Sequence, residues 1–482
     1  MKRLLCLAAA LYLALAGAAA QAETFAVFYE GTDETAGYGM LVTEDGEALT
    51  PPDTYYNLYR ITTDDVPEAD ALYAVIPLKY EDEASVLTDS EGYHFRSMAL
   101  MNARGELLTD YIYANLTSDV PGLITFTLEN ELEGVMTPEG EVRVPAKYVN
   151  ITPNGEGGWL ALRIDGDKLS YEDYYPLVMI DPDGTEHETD LRVQPYSLRD
   201  FHEGLCAAWS IEGYGDSSIY LDPQGGILGG LRFEEAGDFC GNYAAISEDD
   251  RYGLIDKTGA WVVPPKYDAI RDDVSAEGPL FLAWLGASLT AYSAETGEIL
   301  FEKTFEDADE IYAWLVNPWY IEVSGGDRDR LCDLNGDELF AAEPEESISF
   351  YYTRTDGKPD KFVVSGGDWP NTRYALVGLD GTRIETDWYG MYPSLWQDGH
   401  GLYSVSSCRI IEDENGEPDV DWRSWRNGVC DENGDIVLDA KYDSVEALSM
   451  DRFWVRLGNR MGLIDTEENW YYTIDDYTQL MD

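Results

Sequence analysis

The sequence that decides the fold runs YGLIDKTG from Tyr252 to Gly259 and continues as WVVP from Trp261 to Pro264. Variations of this phrase recur along the chain and align on a turn glycine. The glycines are Gly46, Gly105, Gly140, Gly184, Gly225, Gly259, Gly297, Gly336, Gly381 and Gly434, and a copy without the turn glycine follows at Met461–Glu468. Successive glycines lie 34 to 59 residues apart, most of them 34 to 45. A period of this size predicts a repeat architecture.

The residues before each glycine favour a tight turn. Aspartate stands three positions earlier in five copies, at Asp181, Asp222, Asp256, Asp333 and Asp431. In an Asp-x-x-Gly turn the aspartate bonds the backbone ahead of it, and the glycine accepts a positive φ. Because apolar runs flank each turn, the pattern predicts β-hairpins with a glycine bulge.

The position before the aspartate is apolar in ten copies, which predicts one buried face of a strand. These residues are Val42, Met101, Met136, Ile180, Leu221, Ile255, Cys332, Val377, Cys430 and Ile464. Ser293 interrupts the series, so the copy around Gly297 is either degenerate or shifted in register. A Pro-x-x-Tyr follows the turn in several copies, as at Pro264 to Tyr267, and its proline should end a strand or lie on an edge.

The fold class predicted from these patterns is all-β. Each repeat supplies three or four short strands, and helical periodicity is nearly absent after the N-terminal segment. About ten or eleven hairpin or short-sheet units would form a β-propeller-like array or an open β-superhelix. We expect the array to cover residues 23–482, with two sub-arrays dividing near residues 270–300.

The chain resembles the WG-repeat family, also written KWG repeats, most closely from Arg251 to Asp268. Asn427–Asp431 with Lys441–Asp443, Gly134–Tyr148 and Arg460–Asp465 are similar. The tryptophan of the family name is replaced by Tyr38, Tyr252, Asn427 or Met461. The resemblance implies a bacterial repeat scaffold or binding surface without a catalytic site.

The N-terminus has the composition of a secretory leader. A basic start at Lys2 and Arg3 precedes an apolar core from Leu4 to Leu15, and Ala20-Gln21-Ala22 satisfies the small-x-small cleavage rule. We therefore expect a signal peptide over residues 1–22, a secreted or extracytoplasmic mature chain, and no membrane span within it.

The chain is strongly acidic, with 93 acidic residues against 32 basic ones and a formal net charge of −61. Such a field repels nucleic acid and other polyanions, and it favours cations or basic partners. Nucleic-acid binding is thereby excluded, while weak cation binding at the surface stays open.

No recognisable metal, cofactor or nucleophile motif occurs in the sequence. Acidic turns such as Asp181–Gly184 lack the spacing of a calcium loop, and hairpin chemistry explains them. The five cysteines after the leader include no CxxC pair, and Cys332 and Cys430 stand in the buried apolar column. The four histidines lie outside any triad or HExxH context. We therefore predict no cofactor, no metal site and no catalytic residue.

Aromatic residues and insertions are the remaining indications of function. The chain has 34 tyrosines and 13 tryptophans, which suit glycan or protein binding as well as cross-strand pairing. The repeat stretches around residues 347–360 and 411–426, where rim insertions would set specificity. We expect an exported, monomeric scaffold that binds a protein or glycan through a repeat face or rim loops, and not an enzyme. The alternative is an extracellular glycoside hydrolase that uses paired carboxylates on a propeller.

Overall fold

The computed structural model describes fifteen stretches of the chain. They are residues 24–30, 37–52, 54–63, 66–67, 70–77, 86–88, 94–120, 122–164, 169–349, 358, 360–367, 370–386, 388–393, 401–412 and 416–475. The expected signal peptide over residues 1–22 lies outside them, and its cleavage stays a prediction.

Forty-one strands run through the described residues. The first fourteen are β1 (Thr24–Glu30), β2 (Gly37–Thr43), β3 (Tyr55–Arg60), β4 (Leu72–Pro77), β5 (Val86–Thr88), β6 (His94–Arg96), β7 (Ala99–Asn102), β8 (Asn115–Val120), β9 (Leu123–Thr127), β10 (Glu133–Met136), β11 (Val142–Pro153), β12 (Trp159–Arg163), β13 (Tyr175–Ile180) and β14 (Glu186–Val193). The next fifteen are β15 (Leu198–His202), β16 (Leu205–Ala208), β17 (Ile219–Leu221), β18 (Glu235–Cys240), β19 (Tyr243–Glu248), β20 (Arg251–Asp256), β21 (Trp261–Tyr267), β22 (Ala269–Ser275), β23 (Gly278–Leu285), β24 (Ser288–Ser293), β25 (Ile299–Thr304), β26 (Ile311–Asn317), β27 (Tyr320–Gly325), β28 (Arg328–Cys332) and β29 (Glu338–Ala341). The last twelve are β30 (Glu346–Ser349), β31 (Lys361–Gly366), β32 (Arg373–Gly378), β33 (Arg383–Glu385), β34 (Gly390–Pro393), β35 (Leu402–Glu412), β36 (Pro418–Asp431), β37 (Ile436–Tyr442), β38 (Ser444–Ala447), β39 (Phe453–Leu457), β40 (Arg460–Ile464) and β41 (Trp470–Ile474).

The strands form small meandering sheets in which order in space follows order along the chain. From β18 onward there are six four-stranded sheets, namely β18–β21, β22–β25, β26–β29, β30–β33, β34–β37 and β38–β41. Before them come a three-stranded sheet, β15–β17, and a seven-stranded sheet, β8–β14. The first sheet has the order β1-β2-β3-β4-β7, and β5 pairs with β6. The all-β prediction is confirmed, and a four-stranded meander is the unit of a propeller blade.

The recurring phrase occupies one place in each four-stranded sheet, the third strand and the turn into the fourth. All ten residues of the apolar column are buried, none with more than 2% of its surface exposed. The turn glycines take the positive φ that the pattern predicts, for example +81° at Gly259. In the copy without a turn glycine, Glu468 takes that place with a φ of +63°. In these six sheets the repeat boundaries therefore coincide with the sheet boundaries, whereas the seven-stranded sheet holds two copies of the phrase, with turns at Gly140 and Gly184.

The irregular copy around Gly297 is a shift in register and not a degenerate turn. Its turn is one residue longer, because the Gly297 amide donates to the carbonyl of Ser293, four positions back, at 2.8 Å. Tyr292 therefore takes the buried position, with 4% of its surface exposed. Pro264 behaves as predicted, since it lies in β21, the last strand of its sheet.

The apolar core lies between successive sheets, which is why one sheet cannot stand alone. Leu254 and Tyr267 of the β18–β21 sheet pack against Phe281 and Tyr292 of the next. Similar clusters join the β22–β25 sheet to the β26–β29 sheet, and that one to the β30–β33 sheet. Each repeat thus hides its apolar face against its neighbour.

The chain divides into two compact units. The first comprises residues 1–146 together with 470–482, and the second comprises residues 147–469. The sequence-based division near residues 270–300 stays a prediction. Among the described residues, no helix has the length and apolar character needed to cross a bilayer.

Candidate functional site

The acidic turns use their carboxylates to hold the backbone. Oδ1 of Asp256 accepts from the amides of Thr258 at 2.8 Å and Ala260 at 3.1 Å, and Oδ1 of Asp431 is bonded in the same way. The Thr258 side chain, which also donates to Asp256, is the main cause that lowers the pKa of that carboxyl. Within the described residues, no group of three or more potential ligands is arranged around a metal position. The hydrogen bonds are those that the sequence predicts for Asp-x-x-Gly turns.

The cysteines among the described residues, Cys206, Cys240, Cys332, Cys408 and Cys430, are free thiols. Cys332 and Cys430 are fully buried, and burial raises the pKa of each thiol to about 12. Such thiols stay protonated and unreactive at neutral pH. The prediction that these two residues act as small core hydrophobes is confirmed.

Among the described residues, Glu322 is an acid with a strongly perturbed environment. Burial in β27 raises the pKa of its carboxyl to about 8, and the nearby Asp329 adds to the effect. A raised pKa would suit the general acid of a glycosidase. However, only 5% of Glu322 is exposed, so a glycan cannot reach it in this conformation.

The structural feature that departs most from the repeat is the hairpin of β35 and β36, with strands of 11 and 14 residues. Their pairing runs from Leu402–Asp431 out to Glu412–Pro418, with a register shift between Ser407 and Arg409 that leaves residues 422–425 in a bulge. The neighbouring strands β34 and β37 pair only with the base of this hairpin, at residues 403–406 and 427–430. The outer part, here called the rim hairpin (residues 407–412 and 418–426), is the stretch where the sequence predicted an insertion.

Two tryptophans stand on the rim hairpin. The rings of Trp422 and Trp425 are stacked, with centroids 5.5 Å apart and planes inclined by 25°. The indole Nε1 of Trp425 donates to Oδ1 of Asn427 at 3.1 Å, which fixes that ring. Trp422 lies on it with 62% of its surface exposed. An exposed indole supported by a fixed one is a flat apolar platform.

Beside this platform is an open depression of about 550 Å³. It is lined by Trp422, Arg423, Trp425, Arg426, Asp443 and Arg456. Arg456 comes from β39 in the following sheet, and Asp443 lies in the connection between β37 and β38. The site therefore combines the rim hairpin with its neighbouring sheet.

The charges at this depression are opposite in sign to the chain as a whole. It contains three arginines and one aspartate, in a chain with a net charge of −61. Asp443 is engaged by the scaffold, since its Oδ1 lies 3.5 Å from Arg426 and its Oδ2 accepts the Gly458 amide at 2.7 Å. Within the described residues, the guanidinium groups of Arg423 and Arg456 have no hydrogen-bond or ion-pair partner. Two of the three arginines at this depression are therefore not neutralised by an acid among the described residues.

Comparison with the equivalent repeat separates scaffold from site. In the copy at Arg251–Asp268, Arg251 pairs with Asp268, which in turn accepts the Gly286 amide at 2.7 Å. The Asp268 amide donates to the Trp284 carbonyl there, as the Asp443 amide does to that of Arg456. The arginine–aspartate pair thus belongs to the repeat. Of the two copies, only the one that contains Arg426 and Asp443 has the rim hairpin and an arginine at the position of Trp284, namely Arg456.

A second depression, of about 300 Å³, shows the contrasting arrangement. Its lining includes Glu346, Arg383 and Glu385. Arg383 pairs with Glu346 at 2.6 Å and with Glu385 at 2.6 Å, and these contacts raise the pKa of its guanidinium. Arg383 is thus already neutralised by acids of the chain itself, whereas Arg373, the other arginine of the lining, donates to the Thr372 carbonyl and lies over the Tyr389 ring.

Sequence reasoning found part of this site. It singled out the stretch from Ile411 to Arg426 and the pair Trp422 and Trp425, but it named neither Arg423 nor Arg456 as functional. The available signal was the local excess of arginine in DWRSWRN, from Asp421 to Asn427, within an acidic chain. Arg456 gave no signal, because only the packing of two sheets brings it there.

The two clean copies of the phrase also match a family model. The model described as WG containing repeat matches residues 252–283 and 428–460. Two stretches of the chain are therefore similar to WG repeats. In these two copies, Tyr252 and Asn427 replace the tryptophan, and the glycine after it is kept at Gly253 and Gly428.

Comparison with solved structures returned matches of low identity. A structure described as the eukaryotic initiation factor has a TM-score of 0.39 and 10% identity, over 76% of this chain and 97% of its own. BamB from Moraxella catarrhalis has a TM-score of 0.27 and 10% identity, over 76% and 99%. The dihydro-heme d1 dehydrogenase NirN has a TM-score of 0.29 and 12% identity, over 69% and 79%. At such scores these likenesses carry no argument about function, and no curated protein matches this chain.

Proposed function

We propose that this protein is an exported scaffold that binds a glycan or protein partner at the rim hairpin and does not convert it chemically. The observation that supports the proposal is the stacked pair of Trp422 and Trp425 beside an open depression. Tryptophan faces of this kind are frequent at binding surfaces, where they contribute most of the affinity.

The local architecture supports binding at this place more than elsewhere on the repeats. The rim hairpin extends beyond its sheet, and insertions in repeat arrays are where specificity is usually located. The contact between Arg426 and Asp443, which has a counterpart in the Arg251–Asp268 pair, supports the base of the hairpin. The indole platform is therefore attached to the repeat scaffold.

The test compares the chain over residues 23–482 with the variant Trp422→Ala. Trp261→Ala is the matched control, because Trp261 is also exposed, at 38%, but lies on the edge strand β21. Each soluble protein is applied to a glycan array. In a second assay each protein is immobilised and exposed to an extract of the producing cell's envelope. We expect retention of the partner to fall at least tenfold in Trp422→Ala and to stay within twofold of wild type in Trp261→Ala.

Two results would contradict the proposal. One is unchanged retention by Trp422→Ala, which would place binding elsewhere. The other is release of reducing sugar from a bound glycan, which would favour the glycoside hydrolase alternative. Export is tested separately by the mass of the secreted chain, which should begin near Glu23.

A further inference from the structure

We infer that the ligand at the rim hairpin is an acidic saccharide, with a sugar ring on Trp422 and its carboxylate between Arg423 and Arg456. This inference rests on the proposed function and names the chemical class of the ligand. It is carried by the two arginines without partners and by the exposed indole beside them.

The dimensions of the site favour a sugar unit over a protein face. A depression of about 550 Å³ falls within the range of about 300 to 1,000 Å³ that holds small ligands. A stable protein partner would cover roughly 1,200 Å² or more of total surface. A single platform of two indoles with three guanidinium groups fits one or two sugar rings.

The guanidinium groups specify the charge of that ligand. Arginine presents a planar fork of donors that matches a carboxylate, and such charge-assisted bonds are stronger than neutral ones. Arg426 is held by Asp443, with 3.5 Å between the charged groups, so Arg423 and Arg456 are the two that remain for a ligand. The outer face of Trp422 offers the apolar contact that the C–H groups of a pyranose ring require.

The net charge limits how many carboxylates the ligand carries. At physiological ionic strength, exposed charges are screened over about 8 Å. A single carboxylate in the depression therefore responds mainly to the local arginines, whereas a long polyanion would also meet the acidic surface of a chain with charge −61. The ligand expected is a sugar with an isolated acid group, such as a chain end or a side branch bearing one uronic acid.

The experiment uses the chain over residues 23–482 and pairs of oligosaccharides that differ only in a carboxylate replacing a hydroxymethyl group. Cellobiouronic acid against cellobiose is one such pair, and an array supplies the same comparison for other hexoses. We expect at least one acidic member to bind tenfold or more tightly than its neutral counterpart. Calorimetry on that pair then compares wild type with the variants.

The double variant Arg423→Ala/Arg456→Ala should lose at least tenfold in affinity for the acidic saccharide, and less than twofold for the neutral one. The affinity of Arg423→Lys/Arg456→Lys for the acidic saccharide should lie between those of wild type and the double alanine variant, because lysine keeps the charge and lacks the planar fork of donors. The matched control Arg104→Ala/Arg143→Ala removes the same charge from two exposed side chains, 71% and 50% exposed, and should bind like wild type. Circular dichroism and thermal unfolding confirm that each variant folds.

The outcomes separate this inference from the proposed function. If neutral and acidic members bind equally, or the arginine variant binds the acid as wild type does, the inference is wrong, while loss of binding in Trp422→Ala still supports the scaffold. If only a short peptide with one glutamate is bound, and no saccharide, the inference is also overturned. If Trp422→Ala changes nothing, the proposed function itself fails.

Discussion

At the scale of single residues, Glu322 links the interior of the second unit to pH. Its pKa is raised from 4.5 to about 8, chiefly because burial disfavours the charged form. Each unit of difference corresponds to about 1.4 kcal/mol. Ionised Glu322 therefore lowers the free energy of unfolding by a few kcal/mol.

The sign of this effect defines a pH window. Below about pH 4.5 the carboxyl is protonated in both the folded and the unfolded states, and it has no effect. Between pH 4.5 and about pH 8 the unfolded state ionises first, so stability is progressively lost as pH rises. Above pH 8 the loss is complete.

We expect Glu322→Gln to remove this dependence. The variant should gain a few kcal/mol over wild type at pH 8.5, by the estimate above, and close to nothing at pH 4. Denaturant unfolding at both pH values measures the difference. The exposed Glu277→Gln is the control and should show no such trend. An equal difference at the two pH values would contradict the assignment.

A second residue-scale prediction concerns the glycine of the WG repeat. A Cβ at Gly428 would lie 2.5 Å from the Leu438 carbonyl oxygen and 2.6 Å from the Ala440 nitrogen, both backbone atoms. The same approach occurs at Gly253, 2.4 Å from the Val263 oxygen. The pairing of β36 with β37 shifts register at this point, so the partner strand crosses where a side chain would stand.

Gly428→Ala should therefore lower the free energy of unfolding by more than about 3 kcal/mol, as overpacking against rigid atoms does. Gly416→Ala is the comparison, because its φ of +81° strains an alanine but nothing lies within 4 Å of the added carbon. It should cost about 1 to 2 kcal/mol. Chemical denaturation measures the loss of unfolding free energy in both variants. Equal losses in the two variants would refute the steric explanation.

At the scale of elements, the turns repeat one hydrogen-bond scheme. Oδ1 of Asp333 accepts from the amides of Asn335 and Asp337, each at 2.9 Å. Asn102 does the same in its own copy, with the amides of Arg104 at 2.9 Å and Glu106 at 3.1 Å. The oxygen acceptor, and not the charge, is what these turns share.

We therefore expect Asp333→Asn to stay within about 0.5 kcal/mol of wild type and Asp333→Ala to lose about 1 to 2 kcal/mol, from two hydrogen bonds. Thermal unfolding with and without millimolar calcium measures both effects. A calcium-dependent rise in the midpoint of wild type that Asp333→Ala abolishes would instead favour a metal role for the turn.

The sequence could predict these elements because turn chemistry is local. Asp256 and Gly259 are three residues apart, and their roles follow from the backbone between them. The register at Gly297 could not be read, since one added residue shifts every side chain to the other face and only pairing with neighbouring strands shows it. The role of Gly428 was also missed, because it depends on where β37 crosses.

At the scale of the whole molecule, the acidic surface opposes folding. A net charge of −61 over 482 residues produces self-repulsion, which salt reduces. We expect the unfolding midpoint to rise by several degrees between 10 mM and 500 mM sodium chloride at pH 7.5. Calorimetry measures the unfolding midpoint at both salt concentrations. Tetramethylammonium chloride should raise the midpoint as sodium chloride does, which excludes specific sodium binding as the cause. A midpoint independent of salt would contradict this explanation.

The candidate site was only partly predictable at this scale. Aromatic residues occur in all repeats, so composition could not distinguish exposed from buried rings. Trp422 has 62% of its surface exposed, whereas Trp454 has only 4% exposed. Arg423 and Arg456 are 33 positions apart, and the two sheets bring them to one depression. Local patterns predict the repeat unit, whereas a site built by neighbouring units requires their packing.

The membership of the first unit has a consequence for how the protein is made. That unit contains residues 1–146 and also 470–482, and Gly46 lies directly against the Tyr471 backbone. Translation delivers the N-terminal part first, so its early strands form their last contacts only after a segment made more than 300 residues later has appeared. We therefore expect the second unit to fold before the first unit is complete.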